Sequence, residues 1–213
     1  MGTVYKALGQ YNIAKEYHDK ALIIWKRIFG EEHGHVAGSY KNLGSVYKAL
    51  ARYNEAKEYY DKTLIIKKRI FGEEHGGVAA SYNNLGSVYQ ALGQYNEAKE
   101  YHHKSLIIRK KIFREEHGDV AASYNNLGSV YHALAQYNKA KEYHDKALII
   151  WKRIFGEEHG DVAGSYNLGS VYKALGQHNE AKEYHRKALI IRKKIFGEGH
   201  GDGKRLSRSC TVQ

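Results

Sequence analysis

The stretch Gly86–Leu127, GSVYQALGQYNEAKEYHHKSLIIRKKIFREEHGDVAASYNNL, decides the fold, because the rest of the chain is a series of near copies of it. Marker glycines recur at Gly2, Gly44, Gly86, Gly128 and Gly169, in steps of 42, 42, 42 and 41 residues. A fixed period of this length is the signature of a solenoid, in which a unit cannot bury its apolar face alone and does so against its neighbours. The function of such a chain is expected on an extended surface rather than in one pocket.

Within one unit, Val78, Tyr82, Leu85, Tyr89 and Leu92 keep helical spacing, and so do Ala98, Tyr101, His102, Ser105, Leu106, Ile112 and Phe113. Each unit therefore reads as two antiparallel helices. The break falls in Ala91–Asn96, where Gly93 closes the first helix and Asn96 is expected to cap the second. The second helix is expected to stop near Phe113. The other units carry Phe-Gly there, which fits a left-handed helix end, so Arg114 should be slightly strained. With no proline in the chain, every turn is expected to be made by glycine.

The pattern Tyr82-x-x-Leu85-Gly86-x-x-Tyr89, followed by Ala98 and a bulky residue four later, resembles the tetratricopeptide repeat, with Tyr in place of the usual Trp. The fit runs from residue 2 to about 197. The 42-residue spacing and the phrase EEHGDVAASYNNLG at residues 115–128 are closest to the longer-repeat subclass of kinesin light chains and nephrocystin-like scaffolds. The resemblance implies an all-α, right-handed superhelical solenoid of antiparallel helix pairs acting as a non-catalytic protein-interaction scaffold. Its units are 2–43, 44–85, 86–127, 128–168 and 169–197, the first and last incomplete, with 198–213 a disordered basic tail. The family usually has proline near the inter-unit turn, whereas glycine follows the histidine here at Gly34, Gly76, Gly118, Gly160 and Gly201.

Composition narrows the alternatives. The 42% hydrophobic and 27% charged content of these 213 residues is that of an ordinary soluble protein. No apolar run approaches the ~18 residues a transmembrane helix needs, and MGTVYKALGQ lacks the features of a signal peptide, so a cytoplasmic location is expected. Cys210 stands alone and supports neither a disulfide nor a thiolate metal site. No cofactor is expected. Nor is an enzyme, since no nucleophile, carboxylate pair or phosphate loop stands out from the repeat background.

The net charge of +11 raises the rival reading of a basic surface for nucleic acid or acidic lipid. Basic clusters recur at Lys26-Arg27, Lys67-Lys68-Arg69, Arg109-Lys110-Lys111, Lys152-Arg153 and Arg192-Lys193-Lys194. They sit in the last turns of second helices, where cations offset the macrodipole, and most are followed by a Glu-Glu pair. What remains is a basic ridge joined by Lys204, Arg205 and Arg208 of the tail. No base-reading motif accompanies it, which weighs against nucleic acid.

Histidines recur in the inter-unit turns (His33, His75, His117, His159, His200) and on the second helices (His18, His102, His144, His185). A catalytic group or metal ligand is needed once, not in every unit, so these read as structural and no metal is assigned.

The candidate site is a stripe on the first helices, offset from the Leu85 direction. It comprises Asn42, Ser45 and Lys48; Asn84, Ser87 and Gln90; Asn126, Ser129 and His132; and Asn167, Ser170 and Lys173. Tetratricopeptide arrays display this face on their concave side, where a carboxamide ladder can pair with an extended peptide backbone. The asparagines match those of a carboxylate clamp, but Gly38, Ala80 and Ala122 stand where a lysine is needed. The bland alternative is that these small polar residues let neighbouring helices approach.

Two irregularities complete the reading. Val162 to Leu168 spans six residues where the other units have seven, so the fifth first helix is expected to kink or to place Ser165 in the slot of a tyrosine. The first unit lacks half its first helix, and nothing follows the apolar face of Ala181 to Phe196. The chain therefore reads as part of a longer array, or as one whose ends fray, self-associate or are covered by another molecule.

Overall fold

A computed structural model describes residues 1–165 and 168–197 and contains, among them, helices and turns without strands. In chain order the helices are α1 (Gly2–Ala7), α2 (Tyr11–Phe29), α3 (Gly34–Ala49), α4 (Tyr53–Phe71), α5 (Gly76–Ala91) and α6 (Tyr95–Ile112). They continue as α7 (Gly118–Ala133), α8 (Tyr137–Phe155), α9 (Gly160–Ser165), α10 (Leu168–Ala174) and α11 (His178–Phe196). Each first helix packs on the second helix of its own unit, and each second helix packs on the first helix of the next. The chain is an all-α helical-repeat solenoid.

The first helices bury one face. In α5 it is Val78, Ala79, Ser81, Tyr82, Leu85, Gly86 and Val88, and the same positions are buried in α3 and α7. Their N-termini are capped by the turn histidines. His33, His75, His117 and His159 accept through Nδ1 from the backbone N–H two residues on, at 3.0–3.2 Å. Each of these imidazoles also stacks on the phenylalanine ending the preceding helix, at 3.9–4.4 Å between centroids (Phe29, Phe71, Phe113, Phe155). One residue type thus caps a helix and seals the junction between units.

The first helices end in a Schellman motif. In α5, Gln94 N–H donates to Tyr89 C=O and Gly93 N–H to Gln90 C=O, with Gly93 at φ +75°. Gly9 and Gly176 serve the same turn, but Ala51 (φ +58°) and Ala135 (φ +57°) occupy it in α3 and α7. The expectation that glycine makes every turn is therefore wrong at two of them. The second helix begins directly after this motif, at Tyr95, which places Asn96 inside the helix and exposed, not at its cap.

Second helices end on Gly30, Gly72, Gly156 and Gly197 at φ +76° to +78°, but with ψ between 168° and 177°. That is the extended positive-φ region, open essentially to glycine alone, rather than the left-handed helical one. Arg114 cannot follow, and it does not strain. The helix instead stops one residue earlier, with Phe113 extended at φ −111° and ψ 157°.

The marker glycines answer to a packing demand. A Cβ on Gly2, Gly86, Gly128 or Gly169 would lie 2.7–2.8 Å from the ring of His18, His102, His144 or His185, and one on Gly44 would lie 2.9 Å from Tyr60. The aromatic ring of each second helix therefore rests on the bare backbone of the first. Beside this contact a tyrosine pair stacks in every unit: Tyr5–Tyr17, Tyr47–Tyr59, Tyr89–Tyr101, Tyr131–Tyr143 and Tyr172–Tyr184, at 5.0–5.2 Å.

In the shortened unit, Val162 and Leu168 are both fully buried, as their counterparts Val120 and Leu127 are. The expected kink and the exchange of Ser165 with Tyr166 fall outside the described residues, as does the tail.

Candidate concave binding face

The first helices α3, α5 and α7 carry nine of the twelve residues of the expected stripe, and the hydrogen bonds divide them. Asn126 Nδ2 donates to Asn83 Oδ1 at 2.8 Å, linking α7 to α5. The same Asn83 oxygen lies 3.2 Å from His102 Nδ1, and Asn125 Oδ1 lies 3.0 Å from His144 Nδ1. In both pairs the geometry calls for a protonated Nδ1 that donates. Asn83 and Asn125, residues outside the sequence-derived stripe, are thus structural partners of the buried histidines. A repeat-internal signal marks them: where the slot holds Tyr60 instead of histidine, the asparagine is replaced by Lys41.

The serines are satisfied within the fold. Ser87 and Ser129 donate to the carbonyls of Asn83 and Asn125 at 3.0 and 3.1 Å, and Ser45 accepts from Lys6. Asn42 and Asn84 are half-buried, and their carboxamides have no hydrogen-bond partner among the described residues. Gln90 and His132 are half-buried on the same face, with His132 edge-on to Tyr137 at 5.5 Å, while Ser170 and Lys173 are exposed. Asn167 lies outside the described residues.

At the N-terminal end this face is cationic. Lys6 and Lys48 occupy one position in successive units, Lys41 lies two turns before Lys48, and none of the three has an ion-pair partner among the described residues. Burial lowers the pKa of both Lys6 and Lys48, Lys41 further lowers that of Lys6, and Lys6 that of Lys48. Like charges held together without a counterion attract anionic groups.

The outer ridge differs from its sequence reading. Lys67 and Arg109, leading members of two basic clusters, turn inward. Lys67 Nζ donates to Gly77 C=O, and Arg109 Nη1 donates to Asp119 C=O at 2.9 Å and Ser123 Oγ at 2.8 Å. Burial lowers the Arg109 pKa, opposed by Asp119. Most of the remaining cations form ion pairs, in two sets. Lys26, Lys68, Lys110 and Lys152 meet the first glutamate of their own turn (Glu31, Glu73, Glu115, Glu157). Arg69, Lys111, Arg153 and Lys194 meet the second glutamate of the preceding turn (Glu32, Glu74, Glu116, Glu158). This ladder ties successive units together and neutralises most of the ridge.

Among the described residues no cluster of three or more His, Cys, Asp or Glu could hold a metal ion, and no helix is long and apolar enough to cross a membrane. The chain is a solenoid of helix pairs with polar residues along its first helices, a member of the helical-repeat class.

Comparison with known proteins gives the class its family. The tetratricopeptide repeat model matches residues 1–69, 35–111, 77–152 and 119–194, and the chain belongs to that family. Its fold is similar to that of BtubC (BKLC) from P. vanneervenii, with a TM-score of 0.80 and 26% identity over 100% of this chain and 84% of that one. It is also similar to the nearly identical TPR-like repeats of a candidate kinesin light chain from Podosopora anserina, with a TM-score of 0.76 and 28% identity over 92% and 93% of the two chains. MamA, at 20% identity and a TM-score of 0.61, shares the fold. No curated protein matches the chain. Proteins of this family generally act as interaction scaffolds and are generally non-catalytic.

Proposed function

We propose that the chain is a non-catalytic, cytoplasmic scaffold that holds an extended peptide segment of a protein partner along its concave face. The observation that carries this reading is the pair of half-buried, unsatisfied carboxamides of Asn42 and Asn84 next to the uncompensated Lys6, Lys41 and Lys48. A carboxamide offers donors and an acceptor to a peptide backbone, and the lysines favour partners with acidic side chains at that end. The remaining stripe, from Ser87 and Gln90 through Asn126, Ser129 and His132 to Asn167, Ser170 and Lys173, would continue the track. The same reading includes contact between copies at the array ends. The rival, nucleic acid or acidic lipid on the outer ridge, is disfavoured by the ion-pair ladder that occupies its cations.

Selection of displayed random peptides against the array, followed by titration of the selected sequences, tests the proposal. Replacing Asn42 and Asn84 by alanine should remove hydrogen bonds worth about 0.5–1.5 kcal/mol each, weakening binding roughly 5-fold to 150-fold while helicity and melting stay unchanged. Asn126 is kept out of this variant because its bond to Asn83 holds α7 to α5. Peptides that bind the double variant unimpaired, or tight binding confined to anionic vesicles and RNA with steep salt dependence, would sink the proposal.

A further inference from the structure

The turn histidines hold their helices through an atom that a proton would take. His33, His75, His117 and His159 each accept through Nδ1 from the backbone N–H two residues on, and this bond caps α3, α5, α7 and α9. A neutral imidazole with its hydrogen on Nε2 can make it. A protonated one carries hydrogens on both nitrogens and turns a donor toward a donor, at the positive end of the helix macrodipole. Capping is therefore present while the ring is neutral and is lost as the pH falls and the ring takes up its proton.

The surroundings of the four rings are alike except at one position. Each ring stacks on a phenylalanine. Each turn's first glutamate pairs with a lysine of the helix behind it (Lys26, Lys68, Lys110, Lys152), and its second with a cation of the next unit (Arg69, Lys111, Arg153, Lys194). These carboxylates are engaged in the same way at every junction. The residue two after the histidine differs: it is His35, Gly77, Asp119 or Asp161. Asp119 Oδ2 lies 3.9 Å from His117 Nδ1, and Asp161 Oδ2 lies 3.7 Å from His159 Nδ1, so either carboxylate stands ready to accept the proton that ends the cap. Asp119 also faces Arg109, 3.6 Å from its other oxygen. At His75 the matching residue has no side chain, and the nearby cation is Lys67, which donates to the Gly77 C=O. At His33 it is a second imidazole, His35, whose ring centroid is 5.0 Å away and which stacks on Trp25. A proton on each of these two rings adds like charge.

We propose that mild acid releases the first turns of α3 and α5 while those of α7 and α9 stay held, so that the array carries a pH-sensitive latch set by the residue two after each turn histidine. Asn42 and Asn84 lie on α3 and α5, so the release acts on the helices of the proposed groove. The latch itself does not depend on that reading.

Amide hydrogen exchange of the full chain, followed by NMR at about pH 7.5 and about pH 5.5 and expressed as protection factors, tests the proposal across the range in which histidine titrates. The amides of His35 and Gly77 should lose protection roughly 5-fold in acid, the loss expected of a missing N-cap, and those of Asp119 and Asp161 should not. Exchanging the distinguishing residues should exchange the behaviour. Gly77→Asp, whose Cβ would lie 3.1 Å from His75 Nδ1, should make the start of α5 resistant to acid, and Asp119→Gly should make the start of α7 sensitive. Both variants copy a pairing the chain already contains. His75→Asn supplies a cap that does not titrate and should protect α5 equally at both pH values. Equal loss at all four turns, loss at none, or an acid response that does not follow the exchange at residues 77 and 119 would each overturn the proposal. Opening driven by the buried His102 and His144 belongs with those outcomes, since neither substitution would redirect it.

Discussion

Ala51 and Ala135 give the most direct test of how this backbone is held. They occupy the Schellman position that Gly9, Gly93 and Gly176 fill elsewhere, at φ +58° and +57°. An L-residue with a Cβ in this left-handed conformation costs roughly 1–2 kcal/mol, while glycine costs about 0.5–1 kcal/mol more to order than alanine. Both alanines are exposed, so replacement removes no core packing. Ala51→Gly and Ala135→Gly should each stabilise by ~0.5–1 kcal/mol. They lie two units apart and share no contacts, so the double variant should gain ~1–2 kcal/mol and, for a domain of this size, roughly 2–8 °C in melting temperature. Gly93→Ala supplies the reverse, with a loss of similar size. Urea titrations followed by circular dichroism would measure all three. An Ala51→Gly/Ala135→Gly chain no more stable than the parent, with Gly93→Ala also neutral, would refute the argument, because the turn would then not impose the conformation.

Other residues yield predictions of the same kind. Gly118 opens α7 with open space where a Cβ would stand and no hydrogen bond from its N–H, and His117 before it is extended (φ −85°, ψ 144°). Gly118→Pro should therefore stabilise by ~0.4–1 kcal/mol, and a drop in the urea midpoint would contradict that. Gly86→Ala, whose Cβ would lie 2.8 Å from the buried His102 ring, should destabilise by about 1–3 kcal/mol, whereas Gly38→Ala, with nothing within 4 Å, should not. Stability should also fall in mild acid. Burial pushes the pKa of His102 and His144 down to about 4, helped at His102 by Arg109, Lys48 and His103 and at His144 by His132. The unfolded chain takes up these protons near pH 6.5 and the folded one only near 4, so stability present above 6.5 is lost as the pH falls towards 4, by up to ~3 kcal/mol per histidine. His102→Tyr with His144→Tyr, which copies Tyr60 into the same slot, should flatten that dependence. A variant with an unchanged pH profile would show that these histidines do not carry it.

Much of the fold was legible because repetition multiplies weak signals. One Tyr-x-x-Leu-Gly-x-x-Tyr phrase says little, but its recurrence in register located the helices and marked the glycines, though not the aromatic ring that rests on each. Backbone detail was less legible. Glycine after phenylalanine announces a positive φ, but not that ψ would be extended. That second angle is why Arg114 shortens α6 instead of straining. Single-letter reading also missed the direction of Lys67 and Arg109. They share a position with Trp25 and Trp151, whose long flat side chains fill the space between units, and the sequence shows that exchange only when the repeats are aligned.

The candidate site shows the same limit at finer scale. The consecutive asparagines of α5, Asn83 and Asn84, look alike in sequence, yet one full helical step of 100° separates their tasks. Asn83 turns toward the second helix and meets His102, while Asn84 remains half-buried without a partner. In α7 the division is less clean: Asn125 meets His144, but Asn126 spends its amide on Asn83 of the unit before. The carboxamide ladder is thus graded along the array. Its free rungs, Asn42 and Asn84, lie toward the end where Lys6, Lys41 and Lys48 leave positive charge uncompensated, and its tied rung, Asn126, lies in α7, where the face carries His132 in the position of those lysines. Under the proposed peptide-binding reading, hydrogen-bonding capacity and charge coincide in the first units, and a partner should gain most of its contact energy there. The tied rung at Asn126 contributes instead to the rigidity that keeps the free ones in line.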